Sequence, residues 1–234
     1  MWNQNYMVIY MEKPQNNLYR YERKYLLKKI NLNKFLAELF KNNYYKIYKK
    51  RFINNIYYDT YNYDLLNHNI EGLSERKKIR VRWYGQTFGL SKKTIELKIK
   101  SEFLNTKKTL SIGKFKFNSF NEIKKFNDYV IDNLLVKKNF EFYNEIINKI
   151  PVILNRYQRS YYLSPDKNIR VTIDSDLNFY SPITKIKSFE KNIVVEIKYK
   201  NDQNFSNNFN NLTLTRYSKY AQGLLQNTFY KPNY

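Results

Sequence analysis

The sequence predicts an α+β fold in which a many-stranded sheet carries helices packed against it. Three observations lead there. Period-2 alternation of apolar and polar residues recurs in about eight segments, and apolar residues at helical spacing mark three more. The 234 residues are 42% hydrophobic and 18% aromatic, which supplies one sizeable core. No segment reads as a linker, so one compact domain is expected over residues 19–230, behind an extension at 1–18.

The first strand, near 19–27, contains RYERKYL, in which Arg20, Glu22 and Lys24 alternate, with Tyr21 and Tyr25 nearby. Residues 31–43 place Leu32, Phe35, Leu36 and Leu39 on one helical face behind an Asn cap. Strands follow near 52–59 and 76–84. In the latter, KKIRVRWYG sets Lys78, Arg80 and Arg82 against Ile79, Val81 and Trp83. Two more are expected near 93–100 and 107–116, the first with Glu96, Lys98 and Lys100 against Ile95, Leu97 and Ile99. Residues 120–135 repeat Ile123, Phe126, Val130 and Leu134 and read as the second helix. The last strands lie near 155–163, 168–176 and 191–200. Of these, 168–176 alternates Arg170, Thr172, Asp174 and Asp176 with apolar residues, and 191–200 alternates Glu196, Lys198 and Lys200 with Val195, Ile197 and Tyr199. The Asn-rich stretch 201–211 is a loop by composition, and a helix over 217–229 carries Tyr217, Tyr220, Leu224 and Leu225.

Lys and Arg number 42 against 20 Asp and Glu, a net charge of +22 that points to a polyanionic partner. The chain is also crowded with Lys, Asn, Ile and Tyr, a usage that AT-rich coding produces, so arrangement carries more information than number. Five strands each present one charged face and one apolar face. An ordinary half-solvated sheet explains the alternation, but it explains less well why Arg and Lys stand in series with single carboxylates, since Arg suits bidentate phosphate binding. A porin-like barrel also alternates, but needs a signal peptide and lacks such helices. If eight strands close into a barrel, the lumen holds side chains or one small ligand. Like charges about 4 Å apart repel by about 4 kcal/mol at an effective dielectric near 20. A cationic lumen therefore calls for an anionic ligand, of which polyphosphate is the natural kind.

With no cysteine, disulfides, thiolate metal sites and thiol nucleophiles are excluded. The single histidine, His68 in NHN, reads as a surface turn residue, so a metal would be held by oxygen ligands, as Mg²⁺ or Mn²⁺ prefer. The N-terminal MWNQNYMVIYMEKPQNN has neither a basic n-region nor a cleavage site, and no apolar run approaches the roughly 20 residues of a membrane-spanning helix. A cytoplasmic location is expected.

The ordered set RYERKY, KIRVRWYG, ELKIK, RYQRSYYLSPDKNIRVTIDSDL, VVEIK and RYSKYAQG resembles the VTC-type polyphosphate polymerase domain, one of the triphosphate tunnel metalloenzymes of CYTH-like type. The resemblance runs from about residue 19 to 226. It implies a closed, eight-stranded antiparallel β-barrel with helices outside and the triphosphate of ATP inside. Lys24, Arg80, Arg82, Lys98, Arg159, Arg170, Ser218 and Lys219 match the family's phosphate-binding positions, and Glu196 its metal-binding carboxylate, implying Mn²⁺ or Mg²⁺. Lys107 and Arg216 match more loosely, the latter standing where a lysine is expected. Lys198 and Glu22 join the substrate-contacting set. Tyr84 and Tyr220 fall at aromatic positions suited to packing, and Tyr84 is also counted among the substrate contacts. Lys78 matches no family position and is expected to face water.

The implied partners are ATP and inorganic polyphosphate, with the chain acting alone or beside a separate membrane partner. Hydrolases of the same fold begin with a Glu-x-Glu-x-Lys strand; here Arg20 replaces the first Glu, which favours holding a phosphate acceptor over activating water. A basic nucleic-acid module, with tyrosines stacking bases, is the reading outside the enzyme class, and no nucleic acid is expected because Glu96 and Glu196 sit among the cations. Steep salt dependence would mark that module, and metal dependence an enclosed triphosphate site. On sequence alone, truncating Arg80 or Arg82 should abolish turnover and leave the thermal midpoint unchanged or raised, through relief of lumen repulsion.

Overall fold

The structure is a computed structural model and describes residues 21–101, 105–199, 209 and 212–228. The expected extension at 1–18 and the Asn-rich loop, Phe209 apart, lie outside these residues. In chain order the elements are β1 (Tyr21–Leu27), α1 (Leu32–Lys41), β2 (Tyr45–Asp59), α2 (Asp64–Glu71), β3 (Arg76–Tyr84), β4 (Gly89–Lys100) and β5 (Asn105–Phe117). There follow α3 (Ile123–Val136), α4 (Phe140–Ile146), β6 (Ile150–Leu163), β7 (Ile169–Tyr180), β8 (Lys187–Phe189), β9 (Ile193–Tyr199), β10 (Thr213–Thr215) and α5 (Lys219–Asn227). All eight expected strands and three expected helices are present. His68 lies in the last turn of α2 rather than in a surface turn. That helix forms because the buried Asp59 carboxylate accepts the Leu65 and Leu66 amides at 2.9 and 3.1 Å, serving N–H groups that have no partner within the helix.

The expectation of a closed eight-stranded barrel is corrected. The described strands form one ten-stranded antiparallel sheet in the order β10-β1-β9-β7-β6-β2-β3-β4-β5, with β8 on β7. It is not closed: β1 pairs with β9 along its length and with β10 at Lys24–Leu26, and neither β1 nor β10 pairs with β5 among the described residues. The sheet nevertheless curls. Lys98 on β4 lies within electrostatic reach of Glu22 and Lys24 on β1 and of Glu196 and Lys198 on β9, although five strands separate β4 from β1 in the sheet order.

Alternation decides which side chains enter the trough and which enter the core. On β3 and β4, Ile79, Val81, Trp83, Ile95 and Leu97 are buried in the main core, which Phe126, Val130 and Leu134 of α3 complete. Each such side chain contributes about 1.5–3 kcal/mol on leaving water. A second cluster packs Phe35 and Leu39 of α1 on Val195 and Ile197 of β9 and Val171 of β7. Leu225 in α5 is exposed, unlike its predicted partners Tyr217, Tyr220 and Leu224.

Lys93 follows the same alternation onto the core face and is fully buried. Its Nζ meets Ser91 Oγ at 2.5 Å and lies 4.6 Å from the Trp83 ring, and burial pushes its amine down to about 8. A lysine whose folded-state pKa is depressed destabilises the fold fully below that pKa, an effect that fades as pH rises toward its unfolded value. Lys93→Met is therefore expected to raise the thermal midpoint by about 2–4 °C at pH 6.5 and by less at pH 9. An equal or larger gain at pH 9 in differential scanning fluorimetry would contradict this account.

Candidate functional site

The concave face is built around carboxylates, each held by several cations. Glu96 is the first, nearly buried on β4. Arg80 reaches it from β3, the paired neighbour of β4, with Nε and Nη2 at 2.7 and 2.6 Å. Lys107 on β5 lies 3.0 Å from it and Arg82 lies 3.6 Å away. Burial would raise the Glu96 carboxyl, but Arg80, Arg82 and Lys107 outweigh it and hold it at about 2. The arginines are fixed from behind. Arg80 Nη1 donates to Tyr57 Oη at 2.9 Å and Arg82 Nε to Asn55 Oδ1 at 2.8 Å, while Asn55 donates in turn to Asn155 at 2.8 Å.

Asp174 is the second centre and is fully buried on β7. Arg159 of β6 grips it bidentately at 2.5 and 2.6 Å, the geometry a guanidinium provides, and Lys219 of α5 shares the Oδ2 oxygen at 2.6 Å. Burial alone would raise this carboxyl; Arg159 and Lys219 bring it below the usual range. Lys219 arrives there because α5 presses on the sheet at Gly223, where an added Cβ would stand 2.6 Å from Phe179 and 2.9 Å from Ile153. Ser218 caps the helix by accepting the Ala221 amide. Tyr220 packs on Tyr57 and donates to Asp59, a structural role in keeping with its aromatic position.

The third centre joins Glu22 of β1 and Glu196 of β9. Lys198 Nζ lies 3.2 Å from Glu22 and 2.9 Å from Glu196, and Lys24 lies 3.2 Å from Glu22. Burial raises both carboxyls and the surrounding cations outweigh it; for Glu196 these are Lys198, Arg159, Lys24 and Lys219, and it falls well below the carboxylate range. Arg159 and Lys219 thus join the second centre to the third.

The remaining residues singled out from sequence sit at the rim. Arg170 is exposed, opposite Lys198 in the β7–β9 register. Arg216 is exposed and lines, with Glu22 and Lys24, a surface pocket of about 510 Å³. Tyr84 stands apart from the carboxylates, its ring 4.4 Å from the guanidinium carbon of Arg51, which also lies over Tyr48 and Tyr161. Lys78 does not face water: its Nζ meets Ser218 Oγ at 3.0 Å on the concave side. Its place every second residue before Arg80 and Arg82 had already put it on their face. Asn55, Asn155 and Tyr57 belong to the site without standing among the charged positions of the alternating strands; the polar pair inside FINNIYYD, in an otherwise apolar strand, is the signal for the first of them.

As to metal, the described residues hold no group of three or more His, Cys, Asp or Glu side chains. Glu196 and Glu22 offer two carboxylates near one another, both now turned to Lys198. That donor set fits a hard divalent ion completed by phosphate oxygens and water, as Mg²⁺ and Mn²⁺ accept.

The site is thus a curled antiparallel sheet with lysines and arginines gathered on its concave face, and β5 and β10 do not pair among the described residues. The family model of the VTC domain matches residues 19–227, and the chain belongs to that family. Comparison with curated proteins finds no matching sequence. Similar solved structures include a protein of Vibrio parahaemolyticus named as a candidate adenylate cyclase, 11% identical, covering 78% of this chain and 76% of its own, with a TM-score of 0.42. HpAC1 of Hippeastrum, described as a candidate adenylyl cyclase with a dominant triphosphatase activity, is 11% identical, with coverage of 78% and 80% and a TM-score of 0.42. PH1012 of Pyrococcus horikoshii is 13% identical, with coverage of 78% and 80% and a TM-score of 0.36. Among the described residues no helix is long and apolar enough to cross a membrane.

Proposed function

We propose that the protein is a polyphosphate polymerase, which moves the terminal phosphate of ATP onto the end of a phosphate chain lying in the concave face. The observation that carries this reading is that the inner carboxylates Glu22, Glu96, Asp174 and Glu196 are each bound by Lys or Arg. Carboxylates so engaged neutralise and position cations, and do not orient a water molecule. The face they leave is a grip for phosphate, and phosphoryl transfer asks little else of a protein than positioning and charge stabilisation. Buried Thr172 Oγ1 and Asn155 Nδ2 have no hydrogen-bond partner among the described residues, which suits a polar ligand in the trough.

In this reading an oxygen of the chain end attacks the γ-phosphorus in line. A new P–O–P bridge forms and the bond to the β-phosphate oxygen breaks, releasing ADP. Arg80 and Arg82 hold the transferred phosphoryl group with Lys98, and Arg159, Lys219 and Lys24 spread the charge of the leaving diphosphate. Ser218, Lys107, Lys198, Arg170 and Arg216 hold the remaining phosphates. A divalent ion, when bound, would be held by Glu196 with Glu22 beside it and would supply neutralisation of phosphate charge. The open trough lets the lengthening product leave without threading.

A second reading, metal-dependent triphosphate hydrolysis, is favoured by one observation: β1 and β9 bring Glu22 and Glu196 to a single lysine, so two carboxylates converge. Incubation with ATP and Mn²⁺, followed by gel electrophoresis, separates the two. A ladder of acid-stable phosphate chains is expected; free phosphate without a ladder would reject polymerisation and favour hydrolysis.

A further inference from the structure

Lys78 differs from most inner-face cations in its partners. Its side chain is partly buried on β3, and among the described residues no carboxylate pairs with it. The charges that act most strongly on it are positive, Lys24 from β1, Lys98 from β4, and Arg76 and Arg80 from its own strand, while the carboxylates Glu22 and Glu96 stand beyond them, paired with Lys24 and Arg80. From α5 it meets a neutral hydroxyl, Ser218 Oγ, at 3.0 Å. Arg80, Arg159, Lys107, Lys198 and Lys219 all have a carboxylate at 3.0 Å or less. Lys78 has instead a neutral hydroxyl as its partner.

We propose that Lys78 is a phosphoryl-binding residue: its ε-amine, held at the Ser218 hydroxyl between Lys24 and Lys98, takes up a proton and donates it in a hydrogen bond to an oxygen of the bound phosphate chain. This rests on the reading of the trough as a triphosphate site and is independent of whether the reaction is polymerisation or hydrolysis. Burial first, then Lys24, Lys98, Arg76 and Arg80, push the free amine down to about 7. A phosphate anion reverses that balance and stabilises the ammonium form. Above about pH 7, binding therefore draws one proton from solution, and affinity falls as pH rises because that proton becomes harder to obtain. Triphosphate binding becomes tighter on acidification through a side chain that forms no bond to the transferred phosphorus.

The probe is inorganic tripolyphosphate without metal, titrated calorimetrically between pH 6.5 and 8.5 in two buffers of different ionisation enthalpy. The native chain should lose on the order of tenfold in affinity across this range and take up close to one proton at pH 8. Lys78→Arg, whose charge does not titrate here, should keep the pH 6.5 affinity, lose most of the pH dependence and lose the proton uptake. Lys78→Met should bind on the order of tenfold more weakly at pH 6.5 and lose the uptake as well. Retention of the native slope and uptake by either variant overturns the proposal, as does native binding with neither. Failure of the native chain to bind tripolyphosphate overturns it together with the triphosphate reading. Absence of a polyphosphate ladder while linked proton uptake persists overturns polymerisation alone and leaves the role of Lys78 standing.

Discussion

Asp174→Ala is expected to be among the most destabilising single changes in the chain, at about 3–5 kcal/mol, and to abolish turnover. The carboxylate is fully buried and lies within 2.6 Å of both the Arg159 guanidinium and the Lys219 amine. Alanine leaves two cations in a desolvated space with Glu196 as their nearest remaining counter-charge, and Glu196 already belongs to Lys198. The same pair predicts a pH dependence. The Asp174 carboxyl is depressed in the fold, so its contribution is fully present above its unfolded pKa of about 4 and is lost as pH falls through the lower folded value. Urea midpoints should therefore decline below about pH 4 in the native chain and decline less in Asp174→Asn, which keeps one acceptor oxygen for Arg159. A native-like midpoint for Asp174→Ala at pH 7 would show that the cluster is not a structural node.

The alternating strands carried most of the legible information. KKIRVRWYG marks β3, because Ile79, Val81 and Trp83 enter the core and Lys78, Arg80 and Arg82 the trough, while Lys77 turns the other way to Glu145 of α4. The period of α3 was equally plain, since Ile123, Phe126, Val130 and Leu134 all end up buried. What escaped the pattern was short or irregular. β8 and β10 have three residues each, too few to display a period, and the start of β2, YKIYKKR, breaks alternation where its pairing with β6 shifts register. Closure could not be read at all, because it depends on which edges meet, and β10 takes part of the β1 edge that closure requires. Within the site the cations were recognisable by type and spacing. Their partners were harder to read, because Arg80–Glu96 and Arg159–Asp174 join different strands and emerge only with the register. Lys78 shows the opposite failure: alternation placed it on the face of Arg80, and the lack of a family counterpart drew it wrongly toward water.

Arg80→Ala is expected to lower turnover by on the order of 10²–10³-fold, the scale for losing one preorganised donor to a developing charge. Sequence alone led to an unchanged or raised midpoint, on the view that the lumen is crowded with like charges. The register changes that expectation. Arg80 is the nearest partner of Glu96, at 2.6 Å, and also the donor to Tyr57 Oη, so truncation leaves a nearly buried carboxylate with Arg82 at 3.6 Å and Lys107 at 3.0 Å. A loss of roughly 1–3 kcal/mol at pH 7 is the appropriate scale. Arg80 acts most strongly of the cations that hold this carboxyl at about 2, so the carboxyl rises in the variant and the penalty shrinks as pH falls through that raised value. The double variant Arg80→Ala/Glu96→Gln tests whether the two effects are separable. Neutralising the stranded carboxylate should return much of the lost midpoint, a coupling visible in a double-mutant cycle, while turnover stays low because Arg82 alone does not replace the guanidinium lost from position 80. If turnover returned with the midpoint, Arg80 would be no more than the counter-ion of Glu96, and the phosphate grip would have to be reassigned to Arg82 and Lys107.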